Sequence, residues 1–361
     1  MEIIEPFHGA VLNHRNGLAG QDCLTIPVRV AAGADDNVLV NGAAARRAGA
    51  EFQAEVALRE KETDIVAVAD GPGGRRERRV RVVWDRHSRP RYRFAVDDNI
   101  YFLRDLAARG CRSLFDCPYL EMFRRFHETY ATKFVLNLFH RTREGDFDLT
   151  RFPDRYRGQW ADNAHWLKLA FHAYQEFPGR PYQDADPAKL LADLDEVAEQ
   201  VVRFAGEEAY SPTTVIHFAM IRPEAVKHLA RRGVRALSTH LHRTEGGWDI
   251  NYQLDDARSR YLLAHDALRD FESGVTFSNI DVVCNETPPE QVAPVLERVA
   301  ADANTAEIID LLTHEQYFWP FYQNYLPDHA ERVEAAIRWV TQRGYEPVFF
   351  HEGLLGGQEW D

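Results

Sequence analysis

The stretch Arg93-Phe-Ala-Val-Asp-Asp-Asn-Ile-Tyr-Phe-Leu103 joins a short apolar run, two adjacent carboxylates and a second apolar run. It predicts a buried strand at residues 94–96 that ends in Asp97 and Asp98, followed by a helix over residues 100–108. Carboxylates at the carboxyl end of a strand lie where α/β folds place their reactive groups. One acid of such a pair can bind a cation while the other accepts a proton. The alternative is that an acid here simply caps the following helix.

Strand-like apolar runs alternate with amphipathic helical segments over residues 91–361. The segment 187–206, for example, places Leu190, Leu194, Val197 and Val201 on one helical face. Repeated βα units predict a parallel sheet, and about seven of them predict a distorted (β/α) barrel. The expected fold class of this part of the chain is therefore α/β.

Residues 1–90 show no helical period and contain short runs that alternate between apolar and polar residues. Asn41-Gly42 is a strong signal for a tight turn between two strands. The spacing predicts a small all-β sandwich that precedes the barrel, with the boundary near residue 90. This pattern resembles the immunoglobulin-like modules that are appended to bacterial carbohydrate-active enzymes.

The charge balance disfavours nucleic acid as a partner. The chain has 361 residues, 43 basic and 56 acidic side chains, and a net charge of −13; phosphate binding requires a basic face. A neutral or cationic substrate, or a bound metal ion, fits this balance, and solubility explains it equally well.

The sequence predicts a cytoplasmic protein. Its 4 cysteines form no Cys-x-x-Cys pair, which favours free thiols in a reducing compartment. The opening Met1-Glu-Ile-Ile-Glu-Pro6 lacks the features of a signal peptide, and no segment approaches the roughly 20 apolar residues of a membrane span. We expect no membrane partner, while a homo-oligomer is left open.

Polar side chains recur where the predicted strands of the barrel end. Such ends converge on one face of a barrel, which is the usual active-site face. A single histidine after a strand is more often a core residue, but several at matching positions predict a catalytic site. The residues are Asp97, Asp98, Asn137, His140, His172, His217, Asp281, Glu286, His314 and Glu315.

The order of these groups resembles the polysaccharide deacetylases (carbohydrate esterase family four) over residues 92–361. Ala95-Val-Asp-Asp-Asn99 matches their first motif, and Asp310-Leu-Leu-Thr-His-Glu315 loosely matches their last. The resemblance implies Asp97 as the general base, Asp98 as a metal ligand and His314 as the catalytic acid. It also implies a divalent metal ion, zinc first, and a carbohydrate substrate.

The middle motifs depart from the family. Phe171-His-Ala-Tyr-Gln-Glu176 supplies one histidine, His172, as a ligand, but Glu176 stands where the family has a second histidine. The Arg-Pro-Pro-Tyr-Gly signature is replaced by Ile216-His-Phe-Ala-Met-Ile-Arg-Pro223. The third ligand is therefore expected to be either Glu176 or His217, since both side chains bind divalent ions.

The expected activity is metal-dependent hydrolysis of a carbohydrate, by removal of an N- or O-acetyl group. The alternatives are a metal-free glycosidase or polysaccharide lyase that uses acids such as Asp97, Asp281, Glu286 or Glu315, and a sugar-binding protein without catalysis. Polar and aromatic side chains near the strand ends are candidates for substrate binding. They are Tyr101, Asn137, Tyr174, Trp248, Glu315 and Tyr317.

Overall fold

The computed structural model of the protein describes residues 1–212 and 214–358. The fold is mixed α/β, with eight α-helices among the described residues. The helices are α1 (Tyr101–Arg109), α2 (Pro118–Tyr130), α3 (Arg157–Asn163), α4 (Pro187–Ala205), α5 (Ala225–Arg231), α6 (Asp256–Leu263), α7 (Pro289–Ala301) and α8 (His329–Gln342).

The first part of the chain contains only strands, which pair into two five-stranded sheets. One sheet has the order β1-β4-β8-β7 with β3 beside β4, and the other has the order β2-β10-β9-β5-β6. Alternate side chains such as Ile26, Val28 and Val30 are buried in a shared apolar core, as period-two alternation predicts. The strands are β1 (Glu2–Glu5), β2 (Val11–Leu12), β3 (Leu18–Ala19), β4 (Leu24–Ala31), β5 (Asn37–Val40), β6 (Ala43–Ala44), β7 (Arg46–Ala48), β8 (Glu51–Leu58), β9 (Glu62–Asp70) and β10 (Arg76–Trp84).

The remaining strands belong to other sheets. A parallel sheet has the order β13-β12-β11-β20-β19, with β21 also paired to β11. A second sheet has the order β14-β18-β17, and β15 and β16 form a hairpin. The strands are β11 (Arg91–Asn99), β12 (Phe134–Phe139), β13 (Leu167–Ala173), β14 (Ala236–Thr239), β15 (His242–Thr244), β16 (Gly247–Asp249), β17 (Ala267–Arg269), β18 (Thr276–Asn279), β19 (Val282–Val283), β20 (Ile308–His314) and β21 (Glu346–Pro347).

Strand β11 lies between β12 and β20, and all nine of its residues are buried. A central strand with parallel neighbours on both sides is covered on both faces, which explains its continuous apolar run. The strand is longer than predicted and includes both Asp97 and Asp98. Its pairing with β12 shifts register between Val96 and Asn99, so the two carboxylates lie at an irregularity near the strand's carboxyl end.

The described strands do not pair into one closed barrel. The run Thr213-Thr-Val-Ile216 predicts a strand, but residues 214–216 form none, and Thr213 lies outside the described residues. Single backbone hydrogen bonds connect the sheet edges there instead. The Ser211 amide donates to Leu169 (2.8 Å), and the Ser238 amide donates to Thr214.

Candidate metal centre

Three separate segments bring Asp98, His172 and His217 together. Asp98 lies near the end of β11, His172 lies near the end of β13, and His217 begins a short 3-10 turn, His217–Ala219. Asp98 has a φ of +62°, and Phe218 beside His217 has a φ of +60°. Residues with side chains rarely adopt this left-handed conformation, and such strain concentrates at functional sites.

The three ligand-type atoms lie close enough to surround one ion. Asp98 Oδ1 is 3.1 Å from His172 Nε2 and 3.4 Å from His217 Nδ1. The two histidine nitrogens are 3.0 Å apart. Bonds of about 2.0–2.2 Å in a tetrahedral zinc site place ligand atoms about 3.3–3.6 Å apart. All three side chains are buried, and their separations are near those of an occupied site.

Backbone carbonyls fix the orientation of both imidazole rings. His172 Nδ1 lies 3.1 Å from the carbonyl of Val215, and His217 Nε2 lies 3.3 Å from the carbonyl of Glu176. A carbonyl only accepts, so each of these nitrogens carries the ring's proton in the neutral histidine. The facing nitrogens, Nε2 of His172 and Nδ1 of His217, then present bare lone pairs to each other. A cation between them removes this repulsion, and the outer hydrogen bonds are those that metal-bound histidines make.

Charge in the cluster favours a cation as well. Burial raises the pKa of Asp98, but the hydrogen bond with His172 and the nearby histidine charges outweigh burial and bring the pKa below its ordinary value. Burial lowers the pKa of His217 to about 4. Burial also acts to lower the pKa of His172, yet the Asp97 and Asp98 carboxylates raise it overall. Near neutrality Asp98 is therefore an anion and His217 is a neutral ligand. A proton on His172 is the alternative to a cation bound by the cluster.

Asp97 and His314, the predicted base and acid, share a cleft with these three residues. The cleft has a volume of about 220 Å³. Asp97 is paired in register with His314 on the neighbouring strand β20. Asn137 donates from Nδ2 to Asp97 Oδ1 (2.6 Å), and His314 Nδ1 lies 2.8 Å from Asn285 Oδ1. Each predicted catalytic side chain is thus held by one amide side chain.

Glu176, predicted as a possible metal ligand, and Glu315, predicted to bind substrate, make other contacts in the structure. The backbone carbonyl of Glu176 contacts His217. Among the described residues, the potential metal-ligand cluster contains His217 and does not contain the Glu176 carboxylate. The Glu315 carboxylate is fully buried and accepts backbone N–H bonds from Ile100 (2.6 Å) and Tyr101 (2.9 Å) at the start of α1. It therefore caps a helix and is not exposed to a substrate.

The other predicted substrate-binding residues lie outside the described lining of the cleft. Asn137 is buried against Asp97, and Tyr174 stacks on His140 with ring centroids 4.7 Å apart. Trp248 in the hairpin donates a hydrogen bond to the Asp256 carboxylate (2.9 Å). The Tyr317 ring lies 6.1 Å from the His314 ring, measured between centroids, and Tyr101 lines a separate groove.

Sequence reasoning missed much of the cleft wall. His240 follows strand β14 directly, so the rule that selected the other histidines also applies to it. Glu286 lines the cleft, as the glycosidase alternative requires. No sequence pattern identifies Asn285 beside it, which contacts His314. The apolar side chains of the wall come from four different segments: Val215 and Phe218, Ile250, Ile280 and Val283, and Leu312.

No protein-family model and no curated protein matches this chain. Among the described residues, no helix has the length and apolar character needed to cross a membrane. The activity is therefore inferred from the side chains of the cleft.

Proposed function

We propose that the protein is a metal-dependent hydrolase that removes an acetyl group from a carbohydrate. The observation that carries the proposal is the buried cluster of Asp98, His172 and His217 in one cleft with Asp97 and His314, with both imidazoles held by backbone carbonyls through their outer nitrogens. The resemblance of the Asp97-Asp98 and His314 segments to polysaccharide deacetylases supports the choice of an acylated sugar as substrate.

Asp98, His172 and His217 would hold the ion. Two imidazoles and a carboxylate match the ligands of catalytic zinc sites, which keep further positions for water or substrate. Harder divalent ions accept the same donors. A divalent ion bound here would lower the pKa of bound water and polarise the acyl oxygen.

The chain's own side chains would move the protons. Asp97 accepts a proton from the attacking water, and the hydrogen bond from Asn137 holds its carboxylate in one orientation. His314 in its doubly protonated form keeps Nδ1–H on Asn285 Oδ1 and donates the proton of Nε2 to the departing amine or alcohol. The apolar wall that includes Val283 and Leu312 excludes water from the acyl group.

We also propose the finer fold: a distorted barrel that is preceded by an immunoglobulin-like first domain. The hydrogen bonds from Ser211 to Leu169 and from Ser238 to Thr214 support a ring of segments around the cleft. The two five-stranded sheets that share one apolar core support the sandwich.

A metal-free glycosidase is the second candidate, because Glu286 and Asp97 both line the cleft. The other acids that this alternative requires are engaged elsewhere. Asp281 accepts a hydrogen bond from the Asp310 amide (2.9 Å), and Glu315 caps α1.

Acetate release separates these two candidates. The zinc-loaded protein is incubated with N-acetylglucosamine oligomers and acetylated xylan, and acetate and new reducing ends are both measured. We expect acetate without new reducing ends, and loss of acetate release after chelation. New reducing ends that persist after chelation would contradict the proposal and support the glycosidase.

A further inference from the structure

A second concave surface shares no lining residue with the cleft of the metal centre. This aromatic groove has a volume of about 490 Å³ and is lined by Tyr101, Arg104, Phe147, Arg151, Trp319 and Phe321. Helix α1, which begins three residues after Asp98, supplies one wall. The segment that follows His314 supplies the opposite wall.

The groove presents a largely exposed aromatic ring that its neighbours hold in place. Phe321 is 59% exposed, although it is a large apolar side chain. Trp319 stacks on it at 5.8 Å with an interplanar angle of 17°, and Tyr101 meets it edge-on at 5.2 Å. The Arg104 guanidinium lies 5.2 Å from its ring centre. Three neighbours therefore fix the ring before any ligand binds, which lowers the entropic cost of binding.

The charged groups of the groove are already paired within the chain. Arg104 contacts Asp146 at 3.0 Å, and Asp105 contacts Arg109 at 2.8 Å. Arg151 donates to the carbonyl of Asp146. Two basic and two acidic side chains line the groove and leave it without net charge, so it favours a neutral ligand, while the same groups can still hydrogen-bond hydroxyls.

Aromatic contacts continue from the groove toward the metal centre. His314 contacts Tyr317 (6.1 Å), and Tyr317 contacts Tyr322 (5.3 Å), one residue beyond Phe321. Helix α1 is tied to the same segment, because the Tyr101 amide donates to the Glu315 carboxylate (2.9 Å). Tyr101 is thus held against the residue that directly follows His314.

We infer that the aromatic groove binds neutral pyranose units of an oligosaccharide whose acylated unit lies at the metal centre. A pyranose has an apolar C–H face that packs on an aromatic ring and a rim of hydroxyls that meets polar side chains. This inference rests on the proposed function, because it assigns the groove to the same substrate. It makes the substrate a chain of several sugars.

Calorimetry on the full chain tests the groove directly. The zinc-loaded Asp97→Asn protein is titrated with the tetramer and the dimer of β-1,4-linked N-acetylglucosamine, so that turnover does not disturb the measurement. We expect the tetramer to bind more tightly than the dimer. Adding Phe321→Ala should weaken tetramer binding about tenfold and leave dimer binding nearly unchanged. Leu18→Ala, which removes another exposed apolar side chain far along the sequence, is the matched control.

Two results would overturn the inference. In the first, the tetramer binds no better than the sugar dimer, or its affinity is unchanged by Phe321→Ala. In the second, sedimentation shows a dimer of the protein that Phe321→Ala dissociates, which would make the groove a subunit interface. Binding to the His172→Ala protein separates the two proposals. If Phe321→Ala also weakens tetramer binding in the His172→Ala protein, the groove is supported even if the metal proposal fails.

Discussion

At the scale of single residues, the orientation of two imidazoles decides the chemistry of the cleft. A histidine whose outer nitrogen donates to a backbone carbonyl is prepared to bind a metal through its other nitrogen. His172 and His217 both meet this condition, and they face the same carboxylate oxygen of Asp98. This arrangement depends on the positions of two carbonyls, Val215 and Glu176, which no sequence motif specifies.

His172→Ala should abolish stoichiometric metal binding. The change removes one of three ligands, and we expect the affinity for zinc to fall by roughly a hundredfold or more. Elemental analysis after dialysis against zinc measures the effect. His165→Ala, which removes an exposed histidine, should retain the wild-type metal content. Full metal content in His172→Ala would show that the ligands are misassigned.

Asp97→Asn should keep the metal and lose the activity. The amide keeps the shape of the side chain but cannot accept a proton from water, so turnover should fall by roughly 10²-fold or more. Acetate release and elemental analysis are measured on the same preparation. Asn137→Ala should give a smaller loss, since it removes only the hydrogen bond that orients Asp97. Loss of metal from Asp97→Asn would instead make Asp97 a ligand.

At the scale of elements, Glu315 connects the end of β20 to the start of α1. The helix has no side-chain cap of its own, and the Glu315 carboxylate accepts its first backbone N–H groups together with Trp319 Nε1 (2.9 Å). The strand end that carries His314 is thereby tied to the helix that follows Asp98. This contact fixes the two sides of the cleft relative to each other.

Glu315→Ala should lower the free energy of unfolding by roughly 3 kcal/mol, because several buried donors lose their acceptor. Urea denaturation measures the change. Glu331→Ala is the control, since Glu331 is an exposed acid in the first turn of α8 and its loss should have little effect. An equal, small effect for both variants would show that water replaces the Glu315 carboxylate.

The sequence predicts the elements of this region better than it predicts their ends. The apolar run before Asp97 identifies β11, and the histidines after strands identify His172 and His314. The turn at residues 217–219 escapes prediction because Phe218 and Ala219 adopt positive φ without being glycine. Glu176 occupies the position expected for a ligand yet contributes its carbonyl, since side-chain direction depends on a loop geometry that spacing does not determine.

At the scale of the whole molecule, the all-β first part of the chain is tied to the parallel sheet. Glu307, next to β20, is buried, and its carboxylate meets Arg15 Nε (2.5 Å) and Ser88 Oγ (2.8 Å). Phe7 stacks on Tyr261 of α6 at 4.7 Å. These contacts cross the boundary that the sequence predicts near residue 90, and we expect the two parts to unfold together.

Glu307→Ala should lower the free energy of unfolding by roughly 2–3 kcal/mol. Breaking a fully buried pair costs about 3–5 kcal/mol, and the Arg15 side chain is 37% exposed, which reduces the loss. Glu51→Ala removes the partly exposed pair with Arg29 between β4 and β8 and should cost less than about 1 kcal/mol. Calorimetry should show one transition for both variants. Two separate transitions in the wild type would contradict the coupling.

The last prediction concerns acid stability and rests on His351. Burial lowers the pKa of this imidazole to about 3 from an ordinary value of 6.5, and the charges of Lys168, Arg93, Lys133 and Arg235 act in the same direction. Its Nδ1 lies 2.7 Å from Oγ of Ser211, the residue whose amide bonds to the edge strand β13. The folded chain therefore keeps His351 neutral while the unfolded chain protonates it below pH 6.5. Because the unfolded state then binds more protons, stability is complete above pH 6.5 and falls as the pH decreases toward 3.

The loss from this one group is about 1.4 kcal/mol for each pH unit within that window. His351→Gln retains a hydrogen-bonding group for Ser211 but cannot titrate, so its stability should fall less steeply between pH 6.5 and pH 4.5. Urea midpoints and slopes at several pH values measure the difference, and His87→Gln, which changes an exposed histidine, serves as the control. If His351→Gln and the wild type lose stability in parallel over this range, the folded chain protonates His351 and its burial does not contribute to acid unfolding.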